Sequence, residues 1–197
     1  MSDNGMTYRN AGVNIDEGNR FVGKIKKIVS KNIGSRNLSG IGSFGGLFDF
    51  SNLPYKNPVL VTSIDGVGTK LYIAQMLNRH DTVGIDIVSH CINDILVQGA
   101  KPLFFTDYLG CGILDADVMA KVIEGIVATC KKADCELMGG ETAEMPGLYK
   151  PGDYDLVGSI TGVVEKDKII SGKNIKEGDV LISLPSNGLH TNGYSLA

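Results

Sequence analysis

Hydrophobic positions along this chain change period several times, and each change marks an element. Phe21, Val22, Ile25, Ile28 and Val29 recur at helical spacing and predict an amphipathic helix over residues 15–31. Lys24, Lys27 and Lys31 fall on one line of that helix. Residues 32–57 carry little periodicity and much Gly, Ser and Asn, as a loop or short strands joined by turns would. After Pro58, the β-branched run 59–64 predicts a buried strand ending at Asp65-Gly66. Helices are expected over 69–78 and 82–98. In the second, Ile85, Val88, Ile92, Ile95 and Leu96 form an apolar stripe, while Asp86, His90, Asn93 and Asp94 form a polar line on another side. Gly99 caps this helix and Pro102 forbids its continuation.

Further along, 103–109 predicts a strand rich in aromatics, and Asp115 an N-cap for a helix over 116–133. A short strand over 136–138 ends at Gly139-Gly140-Glu141, and residues 145–154 form a loop. Strands are expected over 156–165 and 180–184, then a Gly/Asn loop over 185–192 and a helix starting at Tyr194. The irregular alternation gives an α+β (α/β-like) fold, a mixed β-sheet with helices on one face. The runs 59–64, 103–109 and 156–164 are apolar on both faces, which fits burial on two sides.

Composition narrows the class. With 197 residues, the chain makes one large domain or one and a half small ones. Such a chain buries roughly 70% of its unfolded surface and needs no staples. A net charge of −3, with basic residues gathered mainly in the first helix, argues against a nucleic-acid partner. No apolar run is long enough to span a membrane, and residues 1–10 lack the apolar core of a signal peptide. The four cysteines never pair as C-x-x-C. They read as reduced core thiols of a cytoplasmic protein, with a Cys130–Cys135 bridge as the alternative. Residues 195–197 carry no stop signal, so an N-terminal domain over 1–184 is expected, then a linker and the start of a further domain at 185–197.

The 26 glycines change the picture most. They cluster at 40–46, 66–68, 110–112, 139–140 and 188–193. Glycine at that density allows positive φ and close backbone approach, which loops around phosphates require; ordinary turns are the plainer reading. Three clusters have an acidic residue close by. In the run 62–70, Asp65 leaves a strand, Gly66 and Gly68 follow, and Thr69 and Lys70 open a helix whose amides favour an anion. It is not a Walker A loop, and a tight turn capped by Asp65 is the competing reading. In the run 93–102, Asp94 sits near a helix end, where Gly99-Ala100 lets another backbone or a ligand approach. In the run 138–147, a strand ending in glycines delivers Glu141. Three oxygen donors without a thiolate or imidazole partner suit Mg²⁺ held with phosphate oxygens and water. The loop 40–46 is either a lid over phosphates or a linker.

The strings SIDGVGTKL (63–71), NDILVQGAKP (93–102), FFTDY (104–108), GGETAEMPG (139–147) and GLHTNGYSL (188–196) resemble those of the phosphoribosylformylglycinamidine cyclo-ligase (AIR synthetase) family. Tyr8, Ala11 to Ile15, Gly18 and the G-x-G-x-F-G-G loop also match. The D-x-x-x-x-G-A-x-P pattern is shared with a wider ATP-binding superfamily. That group includes selenophosphate synthetase, thiamine-monophosphate kinase and a hydrogenase maturation factor. A selenophosphate synthetase would carry a reactive cysteine near its N-terminus, and no Cys precedes Cys91.

The resemblance implies an ATP-dependent ligase of de novo purine biosynthesis. It closes formylglycinamidine ribonucleotide to aminoimidazole ribonucleotide, with ADP and phosphate released. ATP phosphorylates the formyl amide oxygen, a neighbouring nitrogen attacks, and phosphate leaves. The resemblance also implies ATP and Mg²⁺ as cofactors, a monovalent cation being left open, and a homodimer whose strands close a central barrel. It places Asp65, Asp94 and Glu141 on the metal. Gly66, Gly68, Thr69, Lys70, Gly99 and Ala100 lie by the nucleotide, under Gly42, Phe44, Gly45 and Gly46. Asp94, Lys27 and His190 are the expected catalytic set, Lys27 touching nucleotide and His190 binding substrate or moving a proton. Ser63 is a substrate contact or a plain strand serine. Asp107, inside an apolar strand, needs a partner: a lysine, backbone donors or the metal. Two alternatives stand: another ATP-using member of the superfamily, or a nucleotide-binding dimerisation module without activity.

Overall fold

The structure is a computed structural model and describes residues 7–30, 34–40, 42–186 and 188–197. Lys31 of the basic line and Ile41 of the glycine loop lie outside the described residues. In chain order the elements are α1 (Ile15–Ser30), β1 (Pro58–Gly66), α2 (Lys70–Met76), α3 (Val83–Leu96), β2 (Lys101–Cys111), α4 (Ala116–Lys132), β3 (Glu136–Glu144) and β4 (Tyr154–Glu165). A single 3₁₀ turn, Lys166–Lys168, follows β4.

The strands form one mixed sheet in the order β1-β4-β2-β3. β4 runs antiparallel to both β1 and β2, while β2 and β3 are parallel and joined through α4. Parallel neighbours need such a crossover, and a helix is the usual one. The fold is therefore α+β with a mixed sheet, as the sequence predicts. Along β2 every second side chain enters the core: Leu103, Phe105 and Leu109 are buried. α3 packs over β1, β4 and β2, and α4 over β3. The two helices also pack on each other, and α1 lies against α4.

Where α3 meets α4, glycine sets the distance. A Cβ on Gly84 would lie 2.0 Å from the Val122 carbonyl oxygen, and one on Gly125 would lie 3.2 Å from the Gly84 Cα. Small residues here let two backbones touch and bring α3 down onto the sheet. The start of α4 is fixed twice. The Asp115 carboxylate accepts from the amides of Asp117 and Val118 at 2.9 and 3.1 Å, the expected N-cap. The Glu17 carboxylate accepts from the Ala116 amide at 2.8 Å. Arg20 beside Glu17 holds that carboxyl below its ordinary range. Lys24 and Arg20 both pair with Asp117, so part of the basic line on α1 serves to dock α1 on α4.

Three elements differ from expectation. β3 continues through the glycines to Glu144, because β2 runs beside it to Cys111 and pairs with it on both sides of a bulge at Met138. Residues 180–184 form no strand; no neighbouring strand pairs with them, and Leu181 is 96% exposed. From Tyr194 onward the chain makes a turn, not a helix, closed by the Leu196 and Ala197 amides on the Gly193 carbonyl. The outward face of β1 is apolar and uncovered in the single chain: Leu60 is 60% and Ile64 70% exposed.

Candidate functional site

β1 and α3 together bring several polar side chains to one place. Val59, Val61, Ser63 and Asp65 alternate toward the helix-covered face of β1, and α3 crosses that face. Its polar line therefore lands on the polar end of the strand. The Ser63 hydroxyl donates to Asp94 Oδ2 at 2.6 Å. His90 Nε2 lies 2.5 Å from Asp65 Oδ2, and the Gly66 amide donates to Asp65 Oδ1 at 2.7 Å. One ligand atom from each of Asp65, His90 and Asp94 falls within 4.8 Å of the other two. All three side chains are half-buried, screened enough to be held and open enough to be reached.

His90 and Asp94 line a polar cleft of about 700 Å³ whose walls also include Lys70, Asp86, Asn93 and His190. The far wall is the segment 188–192, tied to the start of α2. Lys70 Nζ donates to the His190 carbonyl oxygen at 2.8 Å and sits 5.5 Å from the Tyr194 ring centre. It also pairs with Asp86 at 2.6 Å, a contact of charge rather than of directed hydrogen bonding, since Asp86 Oδ2 has no hydrogen-bond partner. The Thr69 hydroxyl does not cap α2; it bonds to the Ser195 hydroxyl at 2.8 Å. The string 188–196 thus packs against the string 63–71, far apart in sequence.

A second cavity, of about 260 Å³, lies between α1, α4 and β3. Its walls are apolar (Phe21, Ile25, Ile123, Leu137), with Glu141 and Lys26 at its border and Asp107 reaching it from β2. Asp107 is 8% exposed. Burial pushes its carboxyl up to about 7, opposed only by a hydrogen bond with its own backbone. Of the expected partners, a backbone donor is the one found. Gly140 lies against it: a Cβ there would be 2.5 Å from Asp107 Oδ1.

The structure therefore divides the expected site residues into two groups. Asp94, Lys70 and His190 line the polar cleft, Asp65 stands beside Asp94, and Gly66, Gly68 and Thr69 follow it in the turn before α2. Gly42, Ser43 and Glu141 line the apolar cavity instead. Glu141 is exposed in the middle of β3, and an imidazole, His90, stands beside Asp65 and Asp94. The glycine loop approaches Met138 through Gly46, leaves Phe44 fully exposed and Gly45 in open space. Lys27 is exposed on α1, where Lys26, its neighbour, borders the cavity.

Gly99 and Ala100 line neither space. Gly99 takes φ +80° at the end of α3, and the backbone that approaches it is the chain's own, at Lys168 to Ile170. Ala100 is buried. The four cysteines are free and buried, and burial lifts the Cys91 thiol to about 12, so core packing is their role. Sequence reasoning placed His90 on the polar line without pairing it with Asp65; the missing signal was which strand that line would face.

Residues 52–164 match the family model "AIR synthase related protein, N-terminal domain". The chain is 58% identical over 191 residues to a phosphoribosylformylglycinamidine cyclo-ligase of Thermoanaerobacter pseudethanolicus, covering 97% of this chain and 56% of that protein. It is 57% identical over 197 residues to the enzyme so named in Geobacter sulfurreducens, covering all of this chain and 57% of that protein. The chain thus spans about half the length of the curated relatives it matches. Among solved structures it resembles E. coli HypE, with TM-score 0.61 at 12% identity over 82% of this chain and 47% of that one. It also resembles a thiamine-monophosphate kinase from Stenotrophomonas maltophilia, with TM-score 0.52 at 21% identity over 75% and 42%. The match over residues 52–164 and the identity to named relatives place the chain: it belongs to the AIR synthase related family, of which it carries the N-terminal domain.

Proposed function

We propose that this chain is the nucleotide-binding portion of a phosphoribosylformylglycinamidine cyclo-ligase. The reaction is ATP-dependent closure of formylglycinamidine ribonucleotide to aminoimidazole ribonucleotide, with release of ADP and phosphate. The observation that carries this reading is the meeting of Asp65 with Asp94, which lines a polar cleft. The cleft is walled by the same segment, 188–192, whose string resembles the cyclo-ligases. The relatives named above are cyclo-ligases at 57–58% identity, which supports the same assignment.

An amide oxygen is a poor leaving group and a phosphorylated one a good one. Such chemistry asks a protein for positioning and charge stabilisation. The donor set fits a divalent cation: carboxylates and an imidazole that are close, half-buried and reachable from the cleft. Asp65 and Asp94 would hold Mg²⁺, which neutralises phosphate charge when bound. The chain's own groups do the rest. Ser63 fixes the Asp94 carboxylate. Lys70, neutralised by Asp86, anchors the 188–195 segment more than it offers a free charge. His190 stands at the cleft to meet substrate. The apolar cavity with Glu141, Gly42 and Ser43 at its wall suits the nucleotide base.

Two further features belong to this reading. The uncovered apolar face around Leu60 and Ile64 suits a homodimer in which two such sheets face each other. The exposed run 180–184 suits a linker after residue 184 that leads into a second domain. Among the described residues no helix is long and apolar enough to cross a membrane. The test is ADP formation from ATP by the full-length protein with and without formylglycinamidine ribonucleotide. Dependence on that substrate is expected; ADP formed equally without it, or with another acceptor only, refutes the assignment.

A further inference from the structure

Asp107 is an acid at a position where packing alone would call for an apolar residue. It stands on β2 among the inward positions, between Phe105 and Leu109, both fully buried. Its carboxyl meets only its own backbone, and among the described residues no other side chain bonds to it. A buried polar group without a full set of partners costs stability. Asp107 instead lines the cavity of about 260 Å³ between α1, α4 and β3. We propose that Asp107 is the specificity-determining residue of that cavity, its carboxyl reading the N1 and 6-amino edge of an adenine. The inference rests on the proposed base site and deepens it.

The cavity suits the flat faces of such a ligand. Phe21 and Ile25 of α1, Ile123 of α4 and Leu137 of β3 give it apolar walls. Of the polar side chains at the wall, Lys26, Ser43 and Glu141 are exposed, and Asp107 is buried. Gly140 leaves the carboxyl its room, since a Cβ there would lie 2.5 Å from Asp107 Oδ1. Burial holds the proton on the carboxyl up to about 7. The neutral acid carries one O–H donor and one carbonyl acceptor side by side. Adenine carries the complement on its Watson–Crick edge: N1 accepts and the 6-amino group donates. Guanine carries three polar groups on that edge, O6, N1–H and the 2-amino group. Against a single donor–acceptor pair, one of the three is left buried and unpaired. The number of polar groups to be satisfied, rather than ring size, favours the 6-aminopurine.

Calorimetric titration at about pH 6, where the carboxyl keeps its proton, tests this. The ligands are the Mg²⁺ complexes of ATP, GTP and purine riboside triphosphate, which lacks the 6-amino group. Wild type is expected to bind ATP at least about tenfold more tightly than either competitor. Asp107→Asn also pairs one donor with one acceptor and should keep that preference within about threefold. In Asp107→Leu the ratio of ATP affinity to purine riboside triphosphate affinity should fall to about one. A residue that only shaped the wall would change all three ligands together. The proposal is overturned if wild type binds the three equally, if Asp107→Asn loses the preference, or if Asp107→Leu keeps the wild-type ratio. Asp94→Asn, at the proposed metal, should weaken all three in proportion and leave the ratios intact. Failure of the metal reading therefore looks different from failure of this one, and binding of none of the three overturns both.

Discussion

Where α3 crosses α4, Gly84 and Gly125 are in backbone contact, and no room exists for a side chain at Gly84. In the loop 40–46, Gly40, Gly42 and Gly45 have nothing within 4 Å of an added Cβ. Both regions look alike in composition, yet glycine is used for opposite ends. At the crossing its missing Cβ lets α3 and α4 pack backbone against backbone. In the loop its backbone freedom matters: Gly40 and Gly42 take φ +67° and +99°. One region is held by packing, and the other borders a cavity without being so held. A glycine cluster therefore has no single meaning until the neighbours of each Cα are known.

The comparison breaks most visibly at Gly84. Gly84→Val forces a branched side chain into the Val122 carbonyl and should destabilise by more than about 4 kcal/mol, at the far end of single substitutions. Denaturant unfolding followed by circular dichroism checks this; a loss under about 1 kcal/mol would mean that the helices separate easily.

Asp107 sharpens the contrast between the packed core and the open cavity. Its carboxyl titrates near 7 when folded, against 3.8 as the ordinary value. Below pH 3.8 folded and unfolded chains both hold the proton, and above 7 neither does. Between those values the folded chain alone holds it, so the group's contribution is full below 3.8 and lost as pH rises through 7. At about 1.36 kcal/mol per unit, the loss reaches at most about 4 kcal/mol. Asp107→Asn, neutral at every pH, should be more stable than wild type at pH 8 by up to that amount, and the difference should shrink toward pH 4. A difference independent of pH would show that Asp107 is charged or solvated throughout.

The smallest effect is expected in the loop. Gly45→Ala meets open space and needs no positive φ, so its stability should stay within about 0.5 kcal/mol of wild type in the same unfolding measurement. A larger loss would place the loop in contact with something that packs against it.

Much of this was legible in the sequence, for a definite reason. β1, α3, β2, α4 and β4 each carry a strong period, and each is found close to its expected bounds. Asp115 caps α4 as its residue type suggests. What failed were features that depend on a neighbour. Residues 180–184 have strand-like composition, but a strand needs a partner, and none pairs with them. Glycines 139 and 140 read as a strand end, yet β2 supplies pairing past them. Gly99 and Ala100 left a backbone or a ligand open, and at Gly99 it is the chain's own backbone that approaches. The site divided for the same reason. Asp65 and Asp94 are brought together by the seating of α3, which no local string encodes, while Glu141 lies on the opposite edge strand of the sheet. His90 sat on the polar line in plain view, but its meaning waited on Asp65.

The central claim is that the Asp65–Asp94 cleft binds a metal–nucleotide. Calorimetric titration of ATP with Mg²⁺ into wild type and Asp94→Asn tests it most directly, because Ser63 holds that carboxylate in place without depending on the metal. The account predicts saturable binding to wild type and at least about tenfold weaker binding to Asp94→Asn, with the variant's fold unchanged by circular dichroism. Equal affinity of the two proteins would contradict it.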